Sequence, residues 1–452
     1  MARLDDFKNK LFKQASEYGY TDYELYSSAA ESFEVRIFNH EIQEYINTDS
    51  FGISFRGTFN GRVGYAYTER ADDGLIPDML KNAAENSKII EEKEIEKLFK
   101  GDHEYPEWNG YNAALDDVSA REKIDMALSM EKFAYSLDPR VKSIDYCVLG
   151  TVKIETTIAN SYGLDKKDKK NFAFAFLYAR VEENGVTKTG VDMWHGNDFA
   201  KFSYEKTAKT AVEKACSYLG ASSVQSGAYS VLFDNDMAAD FFSAFTGIFY
   251  AENAQKGFSL LKGKEGQQIA SRFINLRDDG ICDKSYGSVT FDSEGVATKN
   301  KAVIENGILK TLLYNTKSAE KDGVKSTGNG FKPSFRSSVG TACTNFYIEP
   351  SEEPREKIIS GIEKGLLITE LAGLHSGTDS VSGDFSLSAD GFLIENGKIS
   401  RPVEQITIAG NFFEMLKNTK QTGNDLRFQM PSGNGTIGMP SILAEGLVVT
   451  GL

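Results

Sequence analysis

The sequence holds few of the residues that carry hydrolytic or metal chemistry. Across 452 residues there are four histidines, His40, His103, His195 and His375, and no two lie within one helical turn. A self-contained zinc hydrolase needs three convergent donors and usually a glutamate to activate the bound water. His40-Glu41 and His103-Glu104 each start like such a motif, but Glu44 stands four residues after His40 and Pro106 stops a helix just beyond His103. Cys147, Cys216, Cys282 and Cys343 are scattered singly with no CxxC, which argues against a disulfide framework or a thiolate zinc site and predicts buried free thiols. A GxSxG elbow is also missing, and His375, Ser376 and Asp379 are too close in sequence to form a triad by themselves.

Other absences bound the class of protein. No run of about 18 apolar residues exists, so no transmembrane helix is expected. The opening MARLDDFKNKLFKQASEYGY lacks the apolar core of a signal peptide, and the cytoplasm is the expected compartment. Basic charge is scarce: 51 Lys and Arg against 65 Asp and Glu leave a net charge of −14. The densest basic run, LDKKDKKN, is broken by acids and reads as a solvated loop between strands, so direct nucleic-acid binding is not expected. Glycine is present but spells no nucleotide site. GNGTIG at 433–438 has no strand leading in and Pro440 close behind, and reads as flexible turns. Gly263-Lys264-Glu265 has glutamate where a phosphate loop needs Ser or Thr for magnesium.

What the chain does have is alternation and turn chemistry. Leu4, Phe7, Leu11, Phe12 and Ala15 recur at helical spacing, predicting a helix over 3–18. Five alternating stretches follow, DYELYSSA, SFEVRIFN, EIQEYINT, FGISFRGTF and RVGYAYTE, the last two joined at Asn60-Gly61. Helices are predicted near 74–91 and 119–136, the second opening with a Ser119/Glu122 capping box. Strands resume over 143–160 and 171–194, the latter folding back at Asn184-Gly185, before a helix near 204–218. GASSVQSGA, rich in Gly and Ser, is the best linker. It divides the chain into an N-terminal α+β domain with an antiparallel sheet, residues 1–222, and a β-rich C-terminal domain, residues 223–452. In the latter, one helix is expected over DMAADFFSAFTGIFYAENAQ and one clear helix near 352–363, among short strands and glycine turns. AVIENGILKTLLYN and FLIENGKISRPVEQITI both read as Asn-Gly hairpins, suggesting a barrel or sandwich with internal pseudo-symmetry.

The densest polar stretch, HSGTDSVSGDFSLSADGFLIENGKI, opens at His375 and leads into the second of these hairpins. A glycine-hinged loop there suits a cavity wall, a direct contact with an extended peptide, or catalysis. Together with FDSEGVATKNKAVIENGILKTLLYNTKSAEKDGVKSTGNG, NFYIEPSE and MPSILAEGLVVTG, in this order, it resembles the TldD/PmbA family, also called modulators of DNA gyrase. The resemblance is strong from about 285 onward.

That resemblance implies a cytoplasmic metalloprotease of two paired branches, acting on unfolded or extended peptides in peptide maturation and antitoxin degradation. The TldD branch carries His-Glu-x-x-x-His in the helix after the first strand of the C-terminal domain and a cysteine near the C-terminus. Here that helix has no histidine and GNDLRFQMPSGNGTIG has no cysteine, so the chain resembles the PmbA (TldE) branch. The implied role is a subunit with no cofactor of its own, paired with a zinc-bearing TldD-type partner or as a homodimer. Neither nucleic acid nor membrane is expected as a partner. Ser326, Thr327, Gly328, Asn329, His375, Ser382, Gly383, Asp384 and Phe385 are the residues expected to line a chamber or touch peptide. The rival expectations are an independent hydrolase using His375 or a nearby acid, and a non-enzymatic binding modulator.

Overall fold

The computed structural model describes residues 2–89, 97–431 and 435–452. Helix α1 (Ala2–Tyr18) leads into six antiparallel strands: β1 (Asp22–Phe38), β2 (Glu41–Phe59), β3 (Arg62–Thr68), β4 (Val141–Asn160), β5 (Asp165–Glu183) and β6 (Val186–Gly196), in the order β3-β2-β1-β4-β5-β6. Helices Ile76–Ile89, Ala120–Leu137 and Tyr204–Ser217 complete the layer. Leu25, Phe33, Val35 and Ile37 share one face of β1 because strand side chains alternate. Leu25 packs into the core with Phe7, Leu11, Leu80 and Ala83, and the other three into the core with Ala127, Met130, Ala208 and Ala211. All four helices therefore cover one face. On the other face Tyr26 and Ile158 meet Phe291 of the C-terminal half.

Four expected strands are in fact two. DYELYSSA and SFEVRIFN are the single strand β1, and EIQEYINT and FGISFRGTF are β2, paired residue for residue across Ser28–Gly52 and Ala29–Phe51. The run LDKKDKKN is not a solvated loop but the start of β5. Lys166 lies 3.9 Å from the centre of the Tyr105 ring, Lys169 lies 3.7 Å from that of Tyr111, and Lys170 is buried. Aromatic faces and carbonyls from distant segments take up charges that a local reading assigns to water. The Ser119 capping box forms as expected, with both reciprocal hydrogen bonds. The helix expected near 74–91 is seen over 76–89; residues 90 and 91 lie outside the described residues.

Beyond the Gly/Ser stretch, five strands close into a barrel. Gly227–Phe233 runs parallel to Lys364–Ala372, which pairs antiparallel with Asp384–Glu395, and that with Lys398–Asn411. Ile442–Thr450 pairs antiparallel with Gly227–Phe233 on one side and, through Val448–Thr450, with Thr407–Ala409 on the other, sealing the ring. A second six-stranded sheet contains Leu276–Asp279, Asn300–Glu305, Asn345–Ile348 and Thr436–Met439. One continuous core joins the two, with Phe233, Ile368, Leu387 and Val449 from the barrel and Leu276, Ile304 and Phe346 from the sheet.

The four Asn-Gly hairpin turns, at 60–61, 184–185, 306–307 and 396–397, adopt left-handed backbone at both residues, Asn306 (φ 50°) and Gly307 (φ 78°) among them. The two similar hairpins lie in different sheets, one beside Leu276–Asp279 and one in the barrel. The long helix expected over 236–255 is broken into Asn235–Ser243, a 3-10 turn at Thr246–Phe249 and Ala251–Lys256. Phe245 leaves helical geometry to stack on Phe412 at 4.4 Å, and Ala251 N–H donates to Leu313 O instead of to its own helix. The helix near 352–363 is only Arg355–Ser360, and Thr316–Asp322 and Phe412–Asn418 are helices the sequence pattern hid. From Thr436 of GNGTIG a buried strand runs to Met439 in place of a flexible turn, and Gly433 and Asn434 lie outside the described residues. Cys147 and Cys343 are buried free thiols, while Cys216 and Cys282 are free and half-buried. Among the described residues no helix is long and apolar enough to cross a membrane.

Candidate functional site

Helix Asn235–Ser243 follows the first barrel strand and starts at Asp234, whose carboxylate accepts from Met237 N–H at 3.0 Å. Asp236 and Asp240 lie one turn apart on this helix and so share a face. That face meets β6 of the N-terminal sheet and the segment Arg427–Gln429.

Arg427 ties the junction together. Its Nη1 donates to Asp236 Oδ2 at 2.9 Å, and its Nη2 donates to Met193 O at 2.6 Å while lying 3.5 Å from Asp192 Oδ1. Lys214 Nζ stands 3.9 Å from Asp236. Gln429 donates its amide N–H to Asp240 Oδ1. His195 Nε2 is 2.9 Å from Phe428 O; a carbonyl only accepts, so this nitrogen carries the proton and the buried Nδ1 has no hydrogen-bond partner.

Burial sets the electrostatics. It pushes the Asp240 carboxyl up to about 6, with Asp236 beside it adding to the rise and Gln429 opposing it. Asp234 also rises to about 6 by burial, and Asp192 is raised by burial against the pull of Arg427. Burial lowers His195, keeping it neutral. A similar acid pair sits in the barrel, where Glu370 and Asp390 face each other across antiparallel strands. Burial, then Asp390, pushes Glu370 up to about 7.

The expected residues occupy two separate places. Ser326 Oγ and Thr327 N–H both donate to Tyr314 O, and Asn329 Nδ2 donates to the buried Asp278 at 2.7 Å and to Ala342 O. Gly328 has φ 74°, and a Cβ there would lie 2.9 Å from Ala297 O, so only glycine fits this close approach. The second group folds onto itself at one end of the barrel. Asp379 accepts from the Val381 and Ser382 amides, Ser382 Oγ donates to Asp384, and Asn411 Nδ2 donates to Ser382 O and Asp384 Oδ1. Gly383 O accepts from Phe412 N–H, and the Phe385 ring is buried 4.9 Å from Phe241. His375 is exposed on the same loop. Among the described residues no hydrogen bond joins the two groups. The sequence reading missed Asp192, Asp236, Asp240 and Arg427. The one local signal is the i,i+4 spacing of the two helix aspartates.

Comparison with known proteins places the chain. The PmbA/TldA metallopeptidase domain 1 profile matches residues 23–89, the central domain profile 113–219 and the C-terminal domain profile 226–451. The chain belongs to the PmbA/TldA metallopeptidase family. A Thermotoga maritima structure named a candidate modulator of a DNA gyrase is 32% identical, with TM-score 0.92 over 99% of this chain and 100% of that one. The Metalloprotease PmbA homolog of Haemophilus influenzae is 25% identical over 428 residues, 92% of this chain and 90% of that one. The Metalloprotease TldD homolog of Buchnera aphidicola from Acyrthosiphon pisum is also 25% identical, over 88% and 86% of the two chains. The TldE structure from Thermococcus kodakarensis shares the fold at TM-score 0.91 with 23% identity, covering 98% of this chain and 100% of that one.

A metallopeptidase family implies a metal, and the residues on this helix do not fit one. Asp236 is held by a guanidinium, Asp240 by an amide and Asp234 by its own helix. A fixed cation beside these carboxylates opposes entry of a second one. Among the described residues no group of three or more His, Cys, Asp or Glu is placed to hold a metal ion.

Proposed function

We propose that this chain is the PmbA/TldE-type subunit of a cytoplasmic peptidase and works by completing the chamber of a zinc-bearing TldD-type partner. The substrates are unfolded or extended peptides, in peptide maturation or antitoxin turnover. Ser326–Asn329, His375 and Ser382–Phe385 serve as chamber-lining or peptide-contacting positions, and this chain supplies no catalytic group. The observation that carries the reading is Arg427, whose guanidinium lies beside Asp192 of β6 and against Asp236, on the helix where the TldD branch places its metal ligands.

The test is cleavage of an unstructured peptide by this chain, by a TldD-type chain of the same genome, and by the two mixed. Turnover is expected in the mixture and absent from this chain alone. Zinc-dependent cleavage by the purified chain, with stoichiometric metal bound, overturns the proposal.

A further inference from the structure

One long sheet edge is bare. β3 pairs with β2 only over Ile53–Phe59, so Glu41–Gly52 has β1 on one side and, among the described residues, no strand on the other. Every residue from Glu41 to Ser50 is exposed, including Ile42 at 49%, Tyr45 at 50% and Ile46 at 37%. An edge of this kind presents a row of free backbone donors and acceptors, and solitary proteins guard such edges with lysine, proline, a bulge or a covering segment. EIQEYINTDSFG contains no Lys, Arg or Pro, and its one bulge, where Arg36 pairs with Glu44 and Ile37 with Ile42, sets Gln43 apart beside the hairpin turn and leaves Glu44–Gly52 in regular register. The other edge of the sheet is tied down. β6 is bound to the C-terminal half through Lys188–Glu404, Met193–Arg427 and His195–Phe428.

Charge narrows the occupant. Glu41, Glu44 and Asp49 lie on the bare run, with Glu31 and Glu34 opposite on β1. Lys153 is already bonded to Glu31. A second copy pairing edge to edge about a two-fold axis normal to the sheet must set residues of equal parity opposite each other. In any such register a run that holds Glu41, Glu44 and Asp49 and no Lys or Arg lies along an identical one.

We propose that residues 41–52 are the docking edge for a strand of a second, non-identical subunit carrying lysine or arginine between apolar residues. The proposal rests on the two-subunit reading above and gives it a surface. The experiment mixes this chain with the TldD-type chain of the same genome, followed by sedimentation velocity and by hydrogen exchange. The variants are Ile46→Lys and the pair Glu44→Lys with Asp49→Lys, all at exposed positions, with unchanged melting of the variant alone as the folding control. Amides of 41–52 are expected to gain protection on mixing, and the charge-reversed pair to weaken association about tenfold or more. Association that leaves exchange at 41–52 unchanged, or that tolerates both variants, overturns the edge while leaving the two-subunit reading intact. A failure to associate at all overturns both. Self-association of this chain, lost in the same variants, makes a second copy the occupant and overturns the non-identical partner.

Discussion

The N-terminal sheet stays open through six strands of up to 20 residues, whereas the C-terminal half bends five shorter strands into a ring and leaves none of them without a neighbour on either side. The open sheet buries one face under four helices and gives much of its second face to the other half of the chain. The ring buries its interior against a helix and a second sheet. Closure satisfies backbone groups within one domain, while an open sheet defers that task to something else. The contrast locates rigidity in the C-terminal half and adhesive potential along β2.

Four substitutions break or sharpen this contrast, in decreasing order of effect. Phe412 is fully buried and contacts Phe241, Phe242 and Phe245, so Phe412→Ala is expected to cost about 3–5 kcal/mol in urea denaturation. The barrel and second sheet share that core and should lose their structure together; loss of only one of them would show the core to be divisible. On the open-sheet side, a Cβ at Gly64 would lie 1.9 Å from Ala83 O, so Gly64→Ala must push helix Ile76–Ile89 off β3. A cost of about 2 kcal/mol is expected, with the change in hydrogen exchange confined to β2, β3 and that helix.

At the joint between the halves, Arg427→Met takes the nearest cation from Asp192 and leaves Asp236 with Lys214 alone, and about 1–2 kcal/mol should be lost at pH 8, discounted because the guanidinium is partly exposed. The loss should shrink from pH 8 toward pH 5, because burial already raises Asp192 and proton uptake there removes the stranded charge. An equal loss at both values would mean that packing, not charge, holds the joint. In the barrel, Glu370 binds its proton more tightly when folded than when unfolded. Stability from this group is therefore fully present below the ordinary carboxylate range and is lost as pH climbs through about 7. Glu370→Gln should be nearly neutral at pH 4 and stabilising at pH 8, on the order of 1 kcal/mol after allowing for solvent screening. A stability gain at pH 4 instead would reverse the assigned sign.

The parts of the fold visible from sequence were those with local causes. Asn-Gly fixes both left-handed residues of a hairpin, and Ser119 with Glu122 fixes a helix start, each within four residues. The hairpin at Asn39-His40 carries the same left-handed geometry but no glycine, and it is held from afar. Buried Glu131 accepts from the His40 amide at 2.8 Å and contacts its ring nitrogen. The same logic explains why LDKKDKKN was misread, since Tyr105 and Tyr111 lie about 60 residues upstream of the lysines they face. It also explains the broken helix after Asp234, where a ring from Phe412 and a carbonyl from Leu313 outweigh helical spacing. The Arg427 site was invisible because its ion pairs cross about 190 and 235 residues, and no local pattern announces a guanidinium as the partner of an aspartate.

Strand Ile442–Thr450, last in the chain, is the stave between Gly227–Phe233, the first of its domain, and Lys398–Asn411. During synthesis the ring must wait, with two raw margins, until more than 200 further residues have left the ribosome. A product ending before Ile442 would expose both margins at once, and should be a sticky, quickly degraded chain rather than a trimmed but serviceable protein.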